Sequence, residues 1–416
     1  MHDIVSLLRS NPNFRRLWLG QVVSQLGDWF SYVALYALLF DLTGSATAVA
    51  SLMVVQMLPI ALVGPGAGVV VDRHDRRRIL ITADIVRGVA ILGLLLVRSS
   101  GTVWIAYVVT AIAVSASAFF EPARSATVPA IVRREQLMTA NAISTGTWSA
   151  MLAIGASLGG GIAAWLGRDA AFVMNSASFF VSAMFIAGMR VPPIAGRTQH
   201  SGWHGLVEGL RYMRSHRSVG WVAIVKAGWA VVGGALLLLT VFGDRVFRIG
   251  GSGDAGIGIL YAARGLGAGA GSFIVMALAR RNDASLTRWI GPSYLAAGVC
   301  YATLAIAPSI WFAAMTVLAA HTFGSMLWVL SNVLLQRAVP DAFRGRVFAA
   351  ELVALSIVQS AIAALTGVAL DHWQIAPRPM ALVIGASLWI PAAIWYLVAR
   401  KAFDETSAIP SSVSRV

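Results

Sequence analysis

Four ionisable side chains stand inside long apolar stretches of this sequence: Asp28, Lys226, Arg264 and His321. A charge at membrane depth is costly, so such a group usually faces a cavity or a partner of opposite charge. A carboxylate that meets apolar and cationic surroundings in turn can take up and release a proton, because burial favours its neutral form and a nearby cation its charged form. The positions therefore predict proton coupling at Asp28, with Arg264 or Lys226 as its counter-charge. Glu121 is the next candidate acid.

Structural interpretations of these charges stay open. Lys226 is close enough to the end of its apolar stretch for its long side chain to reach the membrane surface. Glu121 and Arg124 are three residues apart, which suits a local ion pair as well as a gate. Asp84 and Arg87 have the same spacing, which predicts a local pair on a peripheral helix.

Amide and aromatic side chains that suit an amphipathic organic molecule occur in the same stretches. Pockets for such molecules are mostly apolar and carry a few polar groups that fix orientation. His321 fits this set, although a hydrogen-bonded packing residue is the plainer interpretation. The candidates for a substrate cavity are Gln21, Gln25, Trp29, Gln56, Trp148, Trp229, His321, Trp328, Asn332 and Gln359.

The sequence contains few features of an enzyme or of a metal-binding protein. The sequence has no H-E-x-x-H, no G-x-S-x-G and no phosphate-binding loop. Its one cysteine, Cys300, excludes a disulfide framework and a multi-thiolate metal site. His200 and His204 are four residues apart, but no carboxylate or cysteine completes a metal set around them. We therefore predict no enzyme, no metal and no cofactor.

The composition indicates a membrane protein. Of the 416 residues 58% are hydrophobic and only 12% are charged, whereas soluble proteins carry about 25% charged residues. Apolar blocks of twenty or more residues match a bilayer core of about 30 Å. The net charge of +14 raises the question of nucleic acid, but the arginines fall in short tracts between apolar blocks. An orientation signal explains them better, so a lipid bilayer is the expected partner and nucleic acid is not.

Twelve spans follow from the apolar blocks. They are predicted near 14–41, 45–72, 77–98, 102–126, 138–166, 170–190, 219–243, 255–280, 286–306, 309–337, 343–370 and 379–400. The only long polar segment, 191–218, divides them into a six-helix half over 1–190 and a second over 219–400, followed by a tail over 401–416. Of the 32 basic residues, 24 fall on the side that holds both termini and five on the other. This bias predicts cytoplasmic termini in a bacterial inner membrane.

The linker 191–218 contains one helix candidate, Gly205 to Met213. Leu206, Leu210 and Met213 recur at helical spacing, with arginines beside them. The pattern predicts an amphipathic helix on the anionic inner leaflet, and a solvated tether is the alternative.

The loop after the second span reads G-V-V-V-D-R-H-D-R-R-R. Its distinctive residues are Gly68, Asp72, Arg73, Arg76, Arg77 and Arg78. The string resembles the loop signature of the major facilitator superfamily, G-x-x-x-D-R-x-G-R-R-K/R, with Asp75 in place of the second glycine. A plain cytoplasmic loop would need the arginines but neither Gly68 nor Asp72. We expect Gly68 to allow close helix packing. We also expect the charged cluster to meet Arg344 and Arg346, at the start of span eleven, when the cytoplasmic gate is closed.

Longer strings resemble one branch of that superfamily, which contains the macrolide efflux pumps and the enterobactin exporter. They include L-T-G-S at 42–45, P-A-R at 122–124 and Q-R-A-V-P-D-A-F-R-G-R-V at 336–347. The resemblance, over about residues 10 to 400, implies two pseudo-symmetric six-helix halves. It also implies a central cavity lined by spans one, four, seven and ten, with spans two, five, eight and eleven between the halves. A glycine-rich string at 155–161 loosely resembles the antiporter motif but lacks its proline, and simple helix packing explains it nearly as well.

The resemblance implies export of a drug-like or siderophore-like molecule by proton antiport. The expected partners are a small organic substrate, protons and lipid; a monomer suits this scheme, and the sequence leaves the oligomeric state open. One alternative is a lysophospholipid flippase on the same fold, which would work without a proton gradient through a lateral opening. Another is a transport-dead sensor or scaffold, which would lack a continuous cavity and carry a soluble domain.

Overall fold

A computed structural model describes residues 2–191, 202–249, 253–278 and 286–399 of the chain. In that part of the chain, helices form a bundle and no strand is present. Eleven of these helices are long and apolar enough to cross a membrane, and a shorter apolar helix, Ile290–Ile306, stands ninth in order. This confirms the all-α membrane fold with twelve spans. The tail 401–416, the first part of the linker and His200 lie outside the described residues.

Spans one to six form the first half and follow a short helix, His2–Ser10. Their helices are Pro12–Thr43, Ala46–Arg73, Arg76–Leu92, Val103–Ile131, Leu137–Leu166 and Arg168–Ala187. Span one begins earlier than hydropathy predicts, because Asn11 accepts a hydrogen bond from the backbone N–H of Phe14 at 2.9 Å. It ends at Gly44, whose φ of 62° is left-handed and suits a residue without a Cβ atom.

Spans seven to twelve form the second half. Their helices are Arg217–Trp229 with Val232–Val241, Asp254–Leu278, Ile290–Thr303, Ile310–Ala338, Asp341–Asp371, and Pro377–Ser387 with Trp389–Ile394. A short turn interrupts span seven between Trp229 and Val232, and another interrupts span twelve between Ser387 and Trp389.

The two halves touch at one end of the bundle and separate towards the other. Spans five and eight cross so closely that a Cβ atom placed on Gly160 would lie 2.7 Å from the carbonyl oxygen of Asp254. A Cβ atom on Gly265 would lie 2.4 Å from the backbone nitrogen of Ala153. Further along, a Cβ atom on Gly269 would have its nearest neighbour at 3.9 Å, and one on Gly146 would meet no described atom within 4 Å. We call the separated end the terminal side, since span one begins there, and the other end the opposite side.

Spans two and eleven show the same opening. On the opposite side, a Cβ atom on Gly367 would lie 2.8 Å from that of Ala50. On the terminal side, a Cβ atom on Gly64 or Gly68 would meet nothing in the described part of the chain within 4 Å. The expectation that Gly68 allows close helix packing is wrong for this conformation, because the halves have separated at its level.

Polar contacts hold the opposite side together. Arg168, at the start of span six, pairs with Asp254 of span eight at 3.0 Å and with Asp41 of span one at 2.7 Å. The carboxylate of Asp371, at the end of span eleven, accepts a hydrogen bond from Ser45 Oγ at 2.6 Å and others from backbone N–H groups that begin span two. A helix N-terminus favours such an anion. The contacts of Asp254 and Asp371 join the two halves.

The linker contains a helix, Gly202–Ser215, between the terminal-side ends of spans two and eleven. Glu208 pairs with Arg346 at 2.8 Å, and the ring of Tyr212 stacks on Phe343 with centroids 4.8 Å apart. Gly209 lies so close to span eleven that a Cβ atom there would be 2.2 Å from the carbonyl oxygen of Arg346. The exposed face carries an apolar stripe of Trp203, Val207 and Leu210. One side of this short helix thus packs against the protein, and the other exposes apolar side chains.

Candidate functional site

Four aromatic rings meet at mid-depth between the halves. Trp29, Tyr32 and Tyr36 repeat at helical spacing on span one, and Tyr261 reaches them from span eight. The Trp29 ring lies 5.7 Å from that of Tyr32 and 6.0 Å from that of Tyr261, and Tyr36 lies 5.9 Å from Tyr261. We call Trp29, Tyr32, Tyr36 and Tyr261 the aromatic wall. It joins the two halves. Tyr36 and Tyr261 are buried, whereas the half-buried rings of Trp29 and Tyr32 offer faces on which an apolar ring can pack.

Arg264 stands over the aromatic wall. Its guanidinium carbon is 5.6 Å from the ring centres of Trp29 and of Tyr261, which is cation–π distance. Arg264 is about ten residues into span eight, which at 1.5 Å per residue is about 15 Å deep and near the bilayer midplane. The side chain is only half-buried, and no carboxylate of the described residues pairs with it.

Asp28 belongs to a polar cluster inside the first half. Its carboxylate lies near the Asn175 side chain of span six, and the cation close enough to act on its charge is Arg87 of span three. The expected counter-charges, Arg264 and Lys226, have other neighbours. That part of the prediction is wrong, because the contacts of Asp28 lie within its own half.

Arg87 is a functional candidate that the sequence analysis missed. It pairs with Asp84 as the spacing predicts, and it also lies 4.3 Å and 4.4 Å from the ring centres of Phe120 and Phe179. The spacing of Asp84 and Arg87 suggested an isolated peripheral pair, because spacing within one helix says nothing about side chains on neighbouring helices. The signal that could have corrected this was an arginine in the middle of an apolar span.

Lys226 lies in a second buried ion pair, inside the other half. Its Nζ donates to Glu351 Oε2 and to Asn332 Oδ1, both at 2.7 Å, and it lies 4.7 Å from the ring centre of Trp328. The lysine is 5% exposed, so it does not reach for the membrane surface. Glu351 was not among the predicted site residues, since it is 125 positions away in sequence.

The remaining cavity candidates divide into packed and accessible groups. His321 is hydrogen-bonded to Tyr301 at 2.7 Å and meets the ring of Trp229 edge-on at 5.8 Å, which fits its packing interpretation. Gln21 donates to the Ser144 carbonyl, and Gln56 accepts from the Tyr36 hydroxyl at 2.7 Å. Trp148 and Trp328 are exposed, Gln25 and Gln359 are half-buried, and Gln25 Oε1 has no hydrogen-bond partner among the described residues.

The charged loop is bound within the first half in this conformation. Arg76 donates to the Ala126 carbonyl at 2.9 Å, and Arg77 to the carbonyls of Ile186 and Ala187. Asp75 caps span three through the backbone N–H of Arg78 at 3.1 Å, which gives this departure from the signature a structural role.

The remaining gate residues belong to other contacts. Arg344 donates to the Gln336 carbonyl at 2.9 Å, and Arg346 pairs with the linker helix. Glu121 pairs with Arg124 at 2.8 Å. The expected contact of the charged loop with span eleven concerned a closed gate, so it stays a prediction.

A family model for the Major Facilitator Superfamily matches residues 17–364. The chain belongs to the major facilitator superfamily. Its resemblance to that superfamily in sequence is thereby confirmed, and the chain is a multi-pass membrane protein of a transporter family rather than of an enzyme family.

Similar sequences carry transporter names. The putative bacilysin exporter BacE of Bacillus subtilis is 27% identical over 81% of this chain and 83% of its own length. An uncharacterised MFS-type transporter of Mycobacterium tuberculosis is 31% identical over 84% and 83%. Macrolide efflux protein A of Streptococcus pyogenes is 28% identical over 50% of this chain and 52% of its own length. The likeness to macrolide efflux proteins is thus confirmed.

Solved structures show the same fold. A POT family transporter in complex with 5-aminolevulinic acid has a TM-score of 0.75 at 11% identity, covering 94% of this chain and 97% of that one. A bacterial homologue of the human lysosomal transporter Spinster has a TM-score of 0.70 at 14% identity, with the same coverage. At these identities the likeness concerns the fold alone.

Proposed function

We propose that this chain exports a drug-like or siderophore-like organic molecule across a bacterial inner membrane by proton antiport. The observation that carries the proposal is the pair of neighbours Asp28 and Trp29. Asp28 lies near Asn175 and Arg87 inside the first half, and Trp29 lies beside Arg264 where the two halves meet. One turn of span one therefore joins a proton-carrying group to a substrate-facing ring.

The direction of transport follows from the arginine bias and the opening of the bundle. If both termini are cytoplasmic, the terminal side is the cytoplasmic side. The separated ends of spans five and eight then admit substrate from the cytoplasm. The exporter names of similar proteins, the bacilysin exporter and the macrolide efflux protein, support the same direction.

Coupling requires that the proton and the substrate favour different states of the carrier. With Asp28 charged, its attraction to Arg87 and its position beside Asn175 favour close packing of spans one, three and six. A proton on Asp28 removes that attraction and lets span one shift relative to the other two. Since Trp29 moves with span one, protonation changes the fit of the substrate.

The test measures uphill transport in inverted vesicles. The probes are a labelled macrolide, a labelled dipeptide antibiotic, a labelled catechol siderophore and a fluorescent lysophospholipid. We expect at least one of the three drug-like or siderophore-like probes to accumulate, with accumulation lost on adding a protonophore. Accumulation of the lysophospholipid without a gradient would favour the flippase. Failure of every probe in folded protein would favour a sensor or scaffold and contradict the proposal.

A further inference from the structure

Arg264 differs from Arg87 and Lys226, the other two basic side chains deep inside the spans. Each of those has a buried carboxylate partner, in the pairs Arg87–Asp84 and Lys226–Glu351. Arg264 has aromatic neighbours instead, and in the described part of the chain no carboxylate pairs with it.

A guanidinium at this depth requires an anion or water. Removing a charge from water costs several kcal/mol unless a partner of opposite charge restores the balance. Arg264 is half-buried, at the level where the contact between spans five and eight loosens: a Cβ atom on Gly265 would clash with Ala153, whereas one on Gly269 would be in ordinary contact with Ser149 at 3.9 Å.

The surroundings of Arg264 fit an acidic group joined to a ring. A guanidinium binds carboxylate or sulfonate oxygens through two parallel N–H groups, and the rings of Trp29 and Tyr261, each 5.6 Å from its central carbon, do not accept hydrogen bonds as a carboxylate would. Trp29 and Tyr32, the half-buried rings of the aromatic wall, supply area for an apolar ring. Gln25, one turn before Trp29, adds a buried Oε1 atom that has no hydrogen-bond partner among the described residues.

We infer that Arg264 and the aromatic wall form a binding site for an aromatic organic anion. The acidic group pairs with the Arg264 guanidinium, and the ring packs against the aromatic wall. Arg264 belongs to the second half and Trp29 to the first, so the bound anion contacts both halves across the moving interface. This inference rests on the proposed function and narrows its substrate class.

The test compares four naphthalene probes that differ in charge: 1-naphthoate, 1-naphthalenesulfonate, methyl 1-naphthoate and 1-naphthylmethylammonium. Binding to the full chain in lipid nanodiscs is measured by equilibrium dialysis. We expect the two anions to bind at least tenfold more tightly than the ester, since a hydrogen bond to a charged group contributes about 1.5–3 kcal/mol and 1.4 kcal/mol is tenfold. Arg264→Gln should abolish the preference, and Arg264→Lys should retain part of it.

The matched control is Arg98→Gln, which alters an exposed arginine paired with Asp169 on the opposite side and should keep the preference. Folding of each variant is verified by size-exclusion chromatography and thermal unfolding. Equal binding of ester and anions, tighter binding of the ammonium probe, no binding of any probe, or an unchanged preference in folded Arg264→Gln would each overturn the inference. Because the assay needs no gradient, these outcomes are independent of whether transport is driven by protons.

Discussion

The contact between Arg168 and Asp254 should bias the protein towards the conformation closed on the opposite side. Arg168 Nε and Nη2 donate to the two carboxylate oxygens of Asp254 at 3.1 and 3.0 Å, and this contact crosses between the halves. The contact of Arg168 with Asp41 lies within the first half, so it survives opening. Arg168→Gln therefore removes an interaction that one conformation has and the other lacks.

The structure sets the size of this effect. Hydrogen bonds to charged groups contribute about 1.5–3 kcal/mol. Asp254 is 3% exposed, but the Arg168 side chain is 17% exposed and partly solvated, which lowers the value to about 1–2 kcal/mol. At 1.4 kcal/mol per factor of ten, the population open on the opposite side should rise about 5- to 30-fold.

Double electron–electron resonance can measure this shift. Spin labels would replace Trp165 in the first half and Trp373 in the second, which are exposed on the opposite side, with Cys300 changed to Ser. Arg168→Gln should increase the fraction of long distances. Arg98→Gln is the control, because its ion pair with Asp169 joins two parts of the same half. Identical distance distributions for Arg168→Gln and the unmodified chain would refute the reasoning.

Three further predictions concern other parts of the molecule. Glu351→Gln leaves Lys226 buried without its carboxylate and should lower the free energy of unfolding by about 3–5 kcal/mol, measured by thermal unfolding in detergent. The double variant Lys226→Met/Glu351→Met should recover part of this loss. Equal stability of the single variant and the unmodified chain would contradict the prediction. Gly209→Ala should displace the linker helix from span eleven and increase proteolysis of the linker. Gly146→Ala adds a Cβ atom that meets no described neighbour, so it should leave proteolysis unchanged. Equal cleavage of the two variants would argue against close packing of the linker helix at Gly209. Exchange of a monovalent anion for one proton moves two charges across the membrane. An interior-positive potential in inverted vesicles should therefore favour uphill export by about 4.6 kcal/mol per 100 mV. If a potassium–valinomycin potential had no effect on export, this prediction would be contradicted.

Hydropathy was sufficient to place the twelve spans, because the thickness of the bilayer sets a length that sequence alone can match. Hydropathy was less exact at the ends of the spans, because local hydrogen bonds decide at which residue a helix begins. Asn11 starts span one before the apolar run begins, and Asp75 starts span three by capping it. The charged loop drew attention through its resemblance to a family signature, but its contacts depend on which end of the bundle is open.

The partners of the buried charges could not be predicted from spacing. Lys226 and Glu351 are 125 positions apart, and Asp28 meets Asn175 only because spans one and six pack together. Helical spacing places a residue on a face of its own helix, whereas the neighbour on that face comes from another helix. The sequence therefore indicated which residues carry charge at membrane depth and assigned Asp28 the wrong counter-charge.

The most direct test of proton antiport is uphill transport by the Asp28→Asn variant in inverted vesicles, with whichever probe the unmodified chain accumulates. We expect the variant to lose accumulation while it still binds the probe and exchanges it downhill, because the amide cannot carry the proton. Asp169→Asn makes the same chemical change at an exposed position and should accumulate the probe normally. Protonophore-sensitive accumulation by Asp28→Asn at the level of the unmodified chain would contradict the account, and Glu121 would then be the acid to test.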